Sequence, residues 1–538
     1  MKRHLSITVI TLFTVIFLSG CLDENPRDRL DEDEAYTTAN IYQNTVGNIY
    51  FYIGGNADSQ GLQGTARGVY DLNTFTTDEA MLPTRGGDWY DGGLWQDLYR
   101  HSFSPSLQPF SDTWNYLYKV IVLCNQAIAH LEEHSELLTP TQLATYTAEA
   151  RALRAMYYYY LLDLFGTVPY VTSNDITMVK AEQISRSTLF HAIYDELNSL
   201  LPLLPDARSN QEGEHYGHMT RHVAYFLLAK LALNAEIWTD DDCTSGSRPD
   251  GKEIMLTCDD MRKNAWEACI YWCNMLEHSG YGLERDYTKN FAVYNEESVE
   301  NIFTIPMDKN LYANTFMYLF RSRHYNHGSA LGMAAENGSC ATCSTVMTYE
   351  YGFETEDKRF KLNYYSDTVK VNGQVVCLDD GSPLVYKPRA VQLDLTGSPY
   401  EKTAGARMKK YEIDPTAYND GLLQDNDIVL FRYADVLLMK AEAKVRNGQD
   451  GTYELNAVRA RVGMPSREAT LGNILDERLL ELAWEGWRRQ DLIRFDLYHL
   501  NYDERVALIG EEDRHTTVFP IPSRALSLNS HLKQNKGY

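Results

Sequence analysis

The sequence has little positive charge and few apolar runs of any length. Its 538 residues carry 50 Lys and Arg against 74 Asp and Glu, a formal net charge of −24 at pH 7. A surface with this excess of acid repels a phosphate backbone, which argues against nucleic acid as a partner. After the apolar stretch at residues 5–18 there is no second long apolar run. We therefore expect the chain after this stretch to be soluble, apart from an anchor at its N-terminus.

Motifs of the common enzyme classes are also missing. The sequence contains no H-E-x-x-H, no G-x-S-x-G, no P-loop and no G-x-G-x-x-G. Residues 130–134 do spell HLEEH, the inverted zinc-protease pattern H-x-x-E-H. At about 100° per residue, however, His130 and His134 fall on the side of the helix opposite its apolar stripe. Cys340 and Cys343 have C-x-x-C spacing without a second pair. We predict no metal and no cofactor.

The N-terminus has the pattern of a lipoprotein leader. Lys2 and Arg3 precede the apolar run at 5–18, which is short for a membrane span and typical of a secretory signal. The run ends in LSGC, and small residues before a cysteine resemble the lipobox of bacterial lipoproteins. In that case residues 1–20 are removed and Cys21 is lipidated. Asp23 and Glu24 resemble the surface-export signal of Bacteroidota lipoproteins, which predicts an outer-membrane protein on the cell surface.

Eight cysteines remain if Cys21 carries lipid. Cys269 and Cys273 lie beside the apolar stripe of a predicted helix, which favours small buried side chains. Cys243 and Cys258 bracket a polar loop and could close it as a disulfide. The sequence leaves the disulfide state open.

Amphipathic helices dominate the rest of the chain. Apolar residues recur at helical spacing over 111–134, and further helices are predicted at 148–166, 221–238, 261–280, 429–448, 455–463 and 474–495. Alanine-rich helix pairs look like tetratricopeptide repeats without a clean period. The segments near 50–110 and 285–425 lack a helical stripe, and long irregular segments are uncommon unless they are functional. The predicted fold is all-α, with divergent tetratricopeptide-type helical pairs carrying long irregular loop insertions.

The C-terminal sequence resembles a known family. DERLLELAWEGWRRQDLIRF (476–495) is similar to the E-R-x-x-E-L-x-x-E-G-x-R-x-x-D-L-x-R signature of SusD/RagB lipoproteins. The last residues, FPIPSRALSLNSHLKQNKGY, resemble the family's ending, with Ala525, Ser530 and Lys536 as departures. The similarity extends to the lipobox and to segments 114–128 and 149–171. It therefore covers essentially the whole chain.

This resemblance implies a fold and a function. It implies one SusD-like domain over residues 21–538, with binding loops near 50–110 and 285–425. It also implies a lipid-anchored, non-enzymatic protein that captures oligosaccharides or polysaccharides for a SusC-type TonB-dependent transporter of the outer membrane.

The acids and bases of the signature alternate at three- and four-residue spacing. This spacing favours ion pairs along one helix, and charge-laced helices are more often structural than catalytic. The residues concerned are Glu477, Arg478, Glu481, Glu485, Arg488, Asp491 and Arg494.

An aromatic loop, GGDWYDGGLW (86–95), is the first candidate binding element. Its glycines exclude a helix or strand, yet Trp89, Tyr90 and Trp95 are large rings that a chain normally buries. Flat aromatic rings match the C–H face of a sugar, and polar side chains match its hydroxyl rim. Trp95 is the ring most expected to pack inward. The predicted glycan contacts of this element are Asp78, Arg85, Asp88, Trp89, Tyr90, Asp91 and Trp95.

A second predicted wall lies at residues 310–328. It contains Tyr312, Arg321 and Tyr325, and the family commonly draws its binding residues from two separated loops. The support from the sequence itself is compositional.

Two alternatives to a glycan-binding protein remain open. A glycoside hydrolase would use two carboxylates among Asp78, Glu79, Asp88 and Asp91, one of them desolvated to act as the acid. Acids in a glycine-dense loop are expected to be solvated and ionised, which favours binding. The other alternative is a protein-interaction module without a ligand. The sequence does not name the glycan.

Overall fold

The computed structural model describes residues 36–55, 59–63, 67–174, 177–311, 321–351 and 356–538. The predicted signal peptide 1–20, the lipidation site Cys21 and the predicted contact residue Tyr312 lie outside the described residues. Within the described ranges no helix combines the length and the apolar character needed to cross a membrane.

Helices form the scaffold, and the two longest are neighbours in the chain. The α-helices are α1 (Asn48–Gly54), α2 (Val69–Thr74), α3 (Leu94–Arg100), α4 (Gln108–Glu133), α5 (Pro140–Phe165), α6 (Arg186–Leu200), α7 (Arg221–Leu233), α8 (Ala235–Trp238), α9 (Ala265–His278), α10 (Tyr325–Leu331), α11 (Cys343–Tyr351), α12 (Lys358–Asn363), α13 (Tyr433–Arg446), α14 (Thr452–Arg461), α15 (Leu471–Leu482), α16 (Arg488–Arg494) and α17 (Ser523–Leu528). Helix α5 has recognisable boundary signals at both ends. Thr139 and Gln142 form a capping box at the start of α5, and Gly166 ends it.

The strands are short and pair two by two. They are β1 (Ala80–Met81), β2 (Val168–Pro169), β3 (Gln183–Ile184), β4 (Met255–Cys258), β5 (Met261–Asn264), β6 (Asn301–Ile305), β7 (Cys340–Ala341), β8 (Tyr364–Tyr365), β9 (Lys370–Val371), β10 (Gln374–Val375), β11 (Arg407–Met408) and β12 (Ile428–Arg432). All pairs are antiparallel: β1 with β7, β2 with β3, β4 with β5, β6 with β12, β8 with β11, and β9 with β10.

The helices pack as a continuous array. Helix α5 lies against α4 and α6, α9 lies against α7 and α13, and α13 also contacts α14 and α15. Seven of the twelve strands in the described ranges and most of the short helices lie in the segments 50–110 and 285–425, which were predicted to lack a helical stripe. The all-α class is confirmed. The tetratricopeptide-type description of the helix pairs stays a prediction.

Several predicted helices have different boundaries in the structure, and α5 begins at Pro140 rather than at residue 148. Residues 429–432 belong to β12 and residues 261–264 to β5, so α13 and α9 begin later than predicted. All five residues of β12 are buried, and a short fully buried strand has no periodicity that separates it from a helix. The segment 474–495 breaks into α15 and α16, because Trp484 and Gly486 adopt positive φ values of 66° and 75°.

Four consecutive tyrosines, at 157–160, lie in the C-terminal half of α5. All four are buried, because α5 is covered on several sides at once. The hydroxyls of Tyr157, Tyr158 and Tyr159 have internal partners. Tyr158 donates to the carbonyl of Val171 at 3.0 Å, and the hydroxyl of Tyr159 hydrogen-bonds the side chain of Gln490.

The charges of the C-terminal signature are buried and pair mostly between elements. The Glu481 carboxylate accepts hydrogen bonds from Arg359 on α12, Arg432 on β12 and Arg461 on α14. Arg478 pairs with Asp435 on α13 and Asp491 on α16 at 2.7 and 2.8 Å. The expectation of ion pairs along a single helix is therefore wrong for most of the set. The Arg494–Asp491 pair is the exception, within α16.

All eight cysteines in the described ranges are free thiols. The possible Cys243–Cys258 disulfide is thus absent from this structure. Cys269 and Cys273 are buried on α9, as their position beside the apolar stripe indicated.

Candidate functional site

The aromatic loop begins with a tight hairpin. Arg85 and Asp88 exchange backbone hydrogen bonds of 2.9 and 3.1 Å across Gly86 and Gly87. Gly86 has φ +66°, and a Cβ added there would lie 2.7 Å from the Glu401 carboxylate. The turn therefore requires glycine both for its backbone conformation and for the close approach of Glu401.

Trp89 is held in a fixed orientation at the end of this hairpin. Its indole N–H donates to the backbone carbonyl of Glu336 at 2.8 Å, and its ring meets Trp95 edge-on at 6.0 Å. A Cβ on Gly338 would lie 2.7 Å from the Trp89 ring, so glycine there makes room for the indole. Trp89 is half-buried, which leaves part of its surface available to a ligand.

Two exposed tyrosines lie next to this tryptophan. Tyr90 follows it in the chain and is 56% exposed, whereas Tyr325, the first residue of α10, is 44% exposed. The Tyr325 hydroxyl donates to the Asp88 carboxylate at 3.0 Å and so joins α10 to the loop. Partial burial and this carboxylate together raise the pKa of Tyr325 to about 12. We call Asp88, Trp89, Tyr90 and Tyr325 the aromatic patch.

Asp91 connects the loop to residues beneath it. Its carboxylate accepts hydrogen bonds from Arg67 at 2.7 Å and from the indole N–H of Trp95 at 2.8 Å. Partial burial by itself raises the pKa of Asp91, but these two donors outweigh it and hold the pKa below its usual range. Arg67 is about half exposed and lies over the Trp95 ring at 5.8 Å. Arg67 and Asp91 thus place a cation and an anion beside the patch.

Four residues predicted to touch a glycan are structural supports instead. Trp95 is 2% exposed and packs edge-on against Phe75. The buried Arg85 donates to the carbonyls of Gly338, Glu401 and Ala404. Burial, and then the nearby Arg407, lower the pKa of Arg85 to about 9.

The other two are held in ion pairs. The buried Arg321 forms a bidentate pair with Asp71 at 2.6 and 2.7 Å, and Asp78 pairs with Arg488 at 2.7 Å. Because their charged groups already bind partners inside the protein, these side chains act as supports of the fold.

The four acids of the hydrolase alternative have separate surroundings. Glu79 is buried, accepts the backbone N–H of Trp484 at 2.7 Å, and has a pKa raised to about 7 by burial. This corrects the expectation that every acid of the loop is solvated and ionised. Asp78 is paired with Arg488, while Asp88 and Asp91 face Tyr325 and Arg67. Each carboxylate thus contacts a different partner.

A polar cavity of about 420 Å³ adjoins the patch. Glu401, which approaches Gly86, lies in its wall, together with Asp379 and Lys402. Asn326, next to Tyr325 on α10, donates to the Asp379 carboxylate at 3.1 Å. The cavity lies within the predicted binding-loop segment 285–425, but its residues were not singled out because their composition resembles that of any polar loop.

Two family models match different parts of the chain. The model described as SusD family matches residues 279–538, and the model described as starch-binding associating with outer membrane matches residues 61–233. The chain belongs to the SusD/RagB family.

Relatives in this family match along most of the chain. The starch-binding protein SusD of Bacteroides thetaiotaomicron is 24% identical, over 89% of this chain and 87% of its own length. A SusD-like protein of Bacteroides ovatus is also 24% identical, over 80% of this chain and 77% of its own. The resemblance to SusD/RagB proteins inferred from the C-terminal motif is thus confirmed.

Solved structures show the same SusD-like fold. A SusD superfamily protein from Bacteroides vulgatus superposes with a TM-score of 0.69 at 17% identity, covering 94% of this chain and 99% of that one. Surface glycan-binding protein A from Bacteroides thetaiotaomicron, in complex with laminarihexaose, superposes with a TM-score of 0.67 at 21% identity, covering 93% and 100%. The family's members are non-catalytic binding proteins, which agrees with the prediction that this chain is not an enzyme.

Proposed function

We propose that this SusD-like protein captures oligosaccharides with its aromatic patch and delivers them to a SusC-type TonB-dependent transporter. The observation that carries the proposal is the grouping of Tyr90 and Tyr325, both exposed, beside the half-buried Trp89. Exposed rings on an otherwise well-packed surface are the kind of anchor that binding sites use.

The patch offers both kinds of contact that a sugar needs. The rings of Trp89, Tyr90 and Tyr325 provide flat apolar surface for the C–H faces of a sugar. Asp88 accepts hydrogen bonds from hydroxyl groups, and the Arg67–Asp91 pair adds a donor and an acceptor at the edge. Since Trp89 is fixed by Glu336 and Gly338, little conformational entropy is lost when a ligand stacks on it.

The ligand class is supported by the relatives. One is named a starch-binding protein, and one structural neighbour was solved with laminarihexaose. Both ligands are built from glucose units, so maltohexaose and laminarihexaose are the first probes to use.

The place of action follows from the leader and the family. Cys21 in its lipobox would carry the lipid anchor, and a family model that matches the chain is described as associating with the outer membrane. Extraction in mild detergent should therefore recover the protein together with a large β-barrel transporter. Its recovery without such a partner would contradict the delivery step and leave glycan capture standing.

The binding test compares three tyrosine variants. Tyr90→Ala and Tyr325→Ala should each weaken oligosaccharide binding by about tenfold, since truncating an interface anchor typically costs more than about 1 kcal/mol. Tyr453→Ala is the matched control: Tyr453 is 75% exposed on α14, which packs against α13 and α15. All three variants should melt like the parent protein.

Three results of this experiment would count against the proposal. Unchanged affinity in both patch variants would move the site elsewhere. An absence of binding across a wide glycan panel would favour the protein-interaction module. If chromatography of the incubation mixture shows that shorter sugars are released, the hydrolase is favoured.

A further inference from the structure

The H-x-x-E-H segment brings three metal-ligating side chains together at the end of α4. One ligand atom from each of His130, Glu133 and His134 lies within 4.8 Å of the other two. The histidines are four residues apart and therefore share one face of the last helical turn. Glu133 Oε2 lies 3.9 Å from His130 Nδ1. Two imidazoles and a carboxylate are a donor set that zinc and its neighbours in the first transition row accept.

This cluster is more enclosed than a helical wheel indicates. Tyr36 stacks on both imidazoles, with ring centroids 5.1 Å from His130 and 4.8 Å from His134. The ring planes differ by only 26° and 27°, so one phenol ring covers the pair. The side chain of His134 is 11% exposed. The wheel placed both histidines away from the apolar stripe of α4 and could not show that Tyr36 packs over them.

One nitrogen of the cluster lacks a partner. Within the described part of the chain, His134 Nε2 is buried and has no hydrogen-bond partner. A buried polar atom without a partner is costly, and a metal ion would satisfy the lone pair of an unprotonated imidazole nitrogen. The other nitrogen, Nδ1, lies 3.9 Å from the Glu136 carboxylate. A carboxylate beside the non-ligating nitrogen is the usual second partner of a metal-bound histidine.

The local charge also favours a cation. The cluster lies at the C-terminus of a 26-residue helix, where the backbone carbonyls give the helix end a partial negative charge. Glu133 and Glu136 add two carboxylates. We propose that His130, Glu133 and His134 bind one divalent transition-metal ion, with zinc as the physiological candidate. The ion would hold the end of α4 together beneath Tyr36, close to where the described chain begins.

The test is a zinc titration of the purified, metal-stripped protein by calorimetry. The parent protein should bind one Zn²⁺. His130→Ala and His134→Ala should each abolish this binding or weaken its affinity at least about tenfold, since each variant removes a direct ligand. His191→Ala is the matched control, because His191 is an exposed histidine on another helix, α6. Its affinity should equal that of the parent.

Two further measurements keep the result unambiguous. Glu133 is 63% exposed, so Glu133→Gln should fold normally and lower the affinity less than loss of a histidine. Zinc should raise the melting temperature of the parent and the His191 variant but not of the two cluster variants. The proposal is overturned if the parent binds no zinc. It is equally overturned if both histidine variants bind as tightly as the parent, which would place the ion on the free cysteines.

Discussion

Replacing Arg432 by methionine should destabilise the protein strongly, because this arginine is the meeting point of three buried carboxylates. Its guanidinium donates to Glu300 at 2.7 Å, to Glu481 at 2.6 Å and to Glu485 at 2.8 Å. It also donates to the backbone carbonyl of Glu481 at 2.7 Å. All four side chains are buried. Methionine keeps much of the aliphatic volume and removes only the charge and the donors.

The expected magnitude follows from what remains after the change. Removing one partner of a buried ion pair typically costs about 3–5 kcal/mol, because a charge is left uncompensated away from water. Here each carboxylate retains another cation. Arg461 stays on Glu300 and Glu481, and Lys410 stays on Glu485. We therefore expect a loss of about 3–5 kcal/mol in the free energy of unfolding rather than three times that value.

Urea unfolding followed by circular dichroism measures this loss, with Arg248→Met as the control. Arg248 pairs with Asp496 at 2.7 Å, but both side chains are partly exposed, and such pairs contribute about 0–1 kcal/mol. The urea midpoint of Arg432→Met should fall well below that of the control, with a similar slope against urea. If the two variants lose the same stability, the buried network does not hold the C-terminal helices in place as argued above.

Further predictions concern the site, the pH dependence and the anchor. Trp89→Ala should lower both the glycan affinity and the melting temperature, because the indole is half-buried and hydrogen-bonded to Glu336. A lower melting temperature with unchanged glycan affinity would show that Trp89 is not part of the binding site. Burial raises the pKa of Glu79 to about 7 in the folded protein, compared with about 4.5 in the unfolded chain. The contribution of Glu79 to the free energy of unfolding therefore falls as the pH rises from about 4.5 through 7. Relative to the parent, Glu79→Gln should therefore gain free energy of unfolding between pH 5 and pH 8, by at most about 3 kcal/mol. Urea titrations of both proteins at the two pH values measure this gain. An unchanged difference between the proteins would show that Glu79 ionises freely. Cys21→Ala should release the protein from the membrane fraction, and a variant that stays anchored would contradict the lipoprotein assignment.

Much of the scaffold was predictable because its signals are local. The long helices α4 and α5 follow from apolar periodicity and from stop signals such as Gly166, which act over a few residues. The C-terminal motif likewise identified the family. Its charges were visible in sequence, but their partners were not. Arg478 pairs with Asp435 as well as with Asp491, and the sequence around Arg478 does not predict the contact with Asp435.

For the aromatic loop, too, one part was predictable from the sequence and another part was not. The sequence by itself predicted a glycine-rich turn carrying rings over residues 86–95, and the structure has this turn as far as Gly93, after which Leu94 and Trp95 begin α3. Only the tertiary structure decided which rings are exposed. Trp95 is buried because it contacts Phe75 and Asp91. Trp89 stays partly exposed because Glu336 and Gly338, from a distant segment, hold only one edge of its ring. Burial depends on contacts between residues far apart in the chain, and local composition does not encode which of those contacts form.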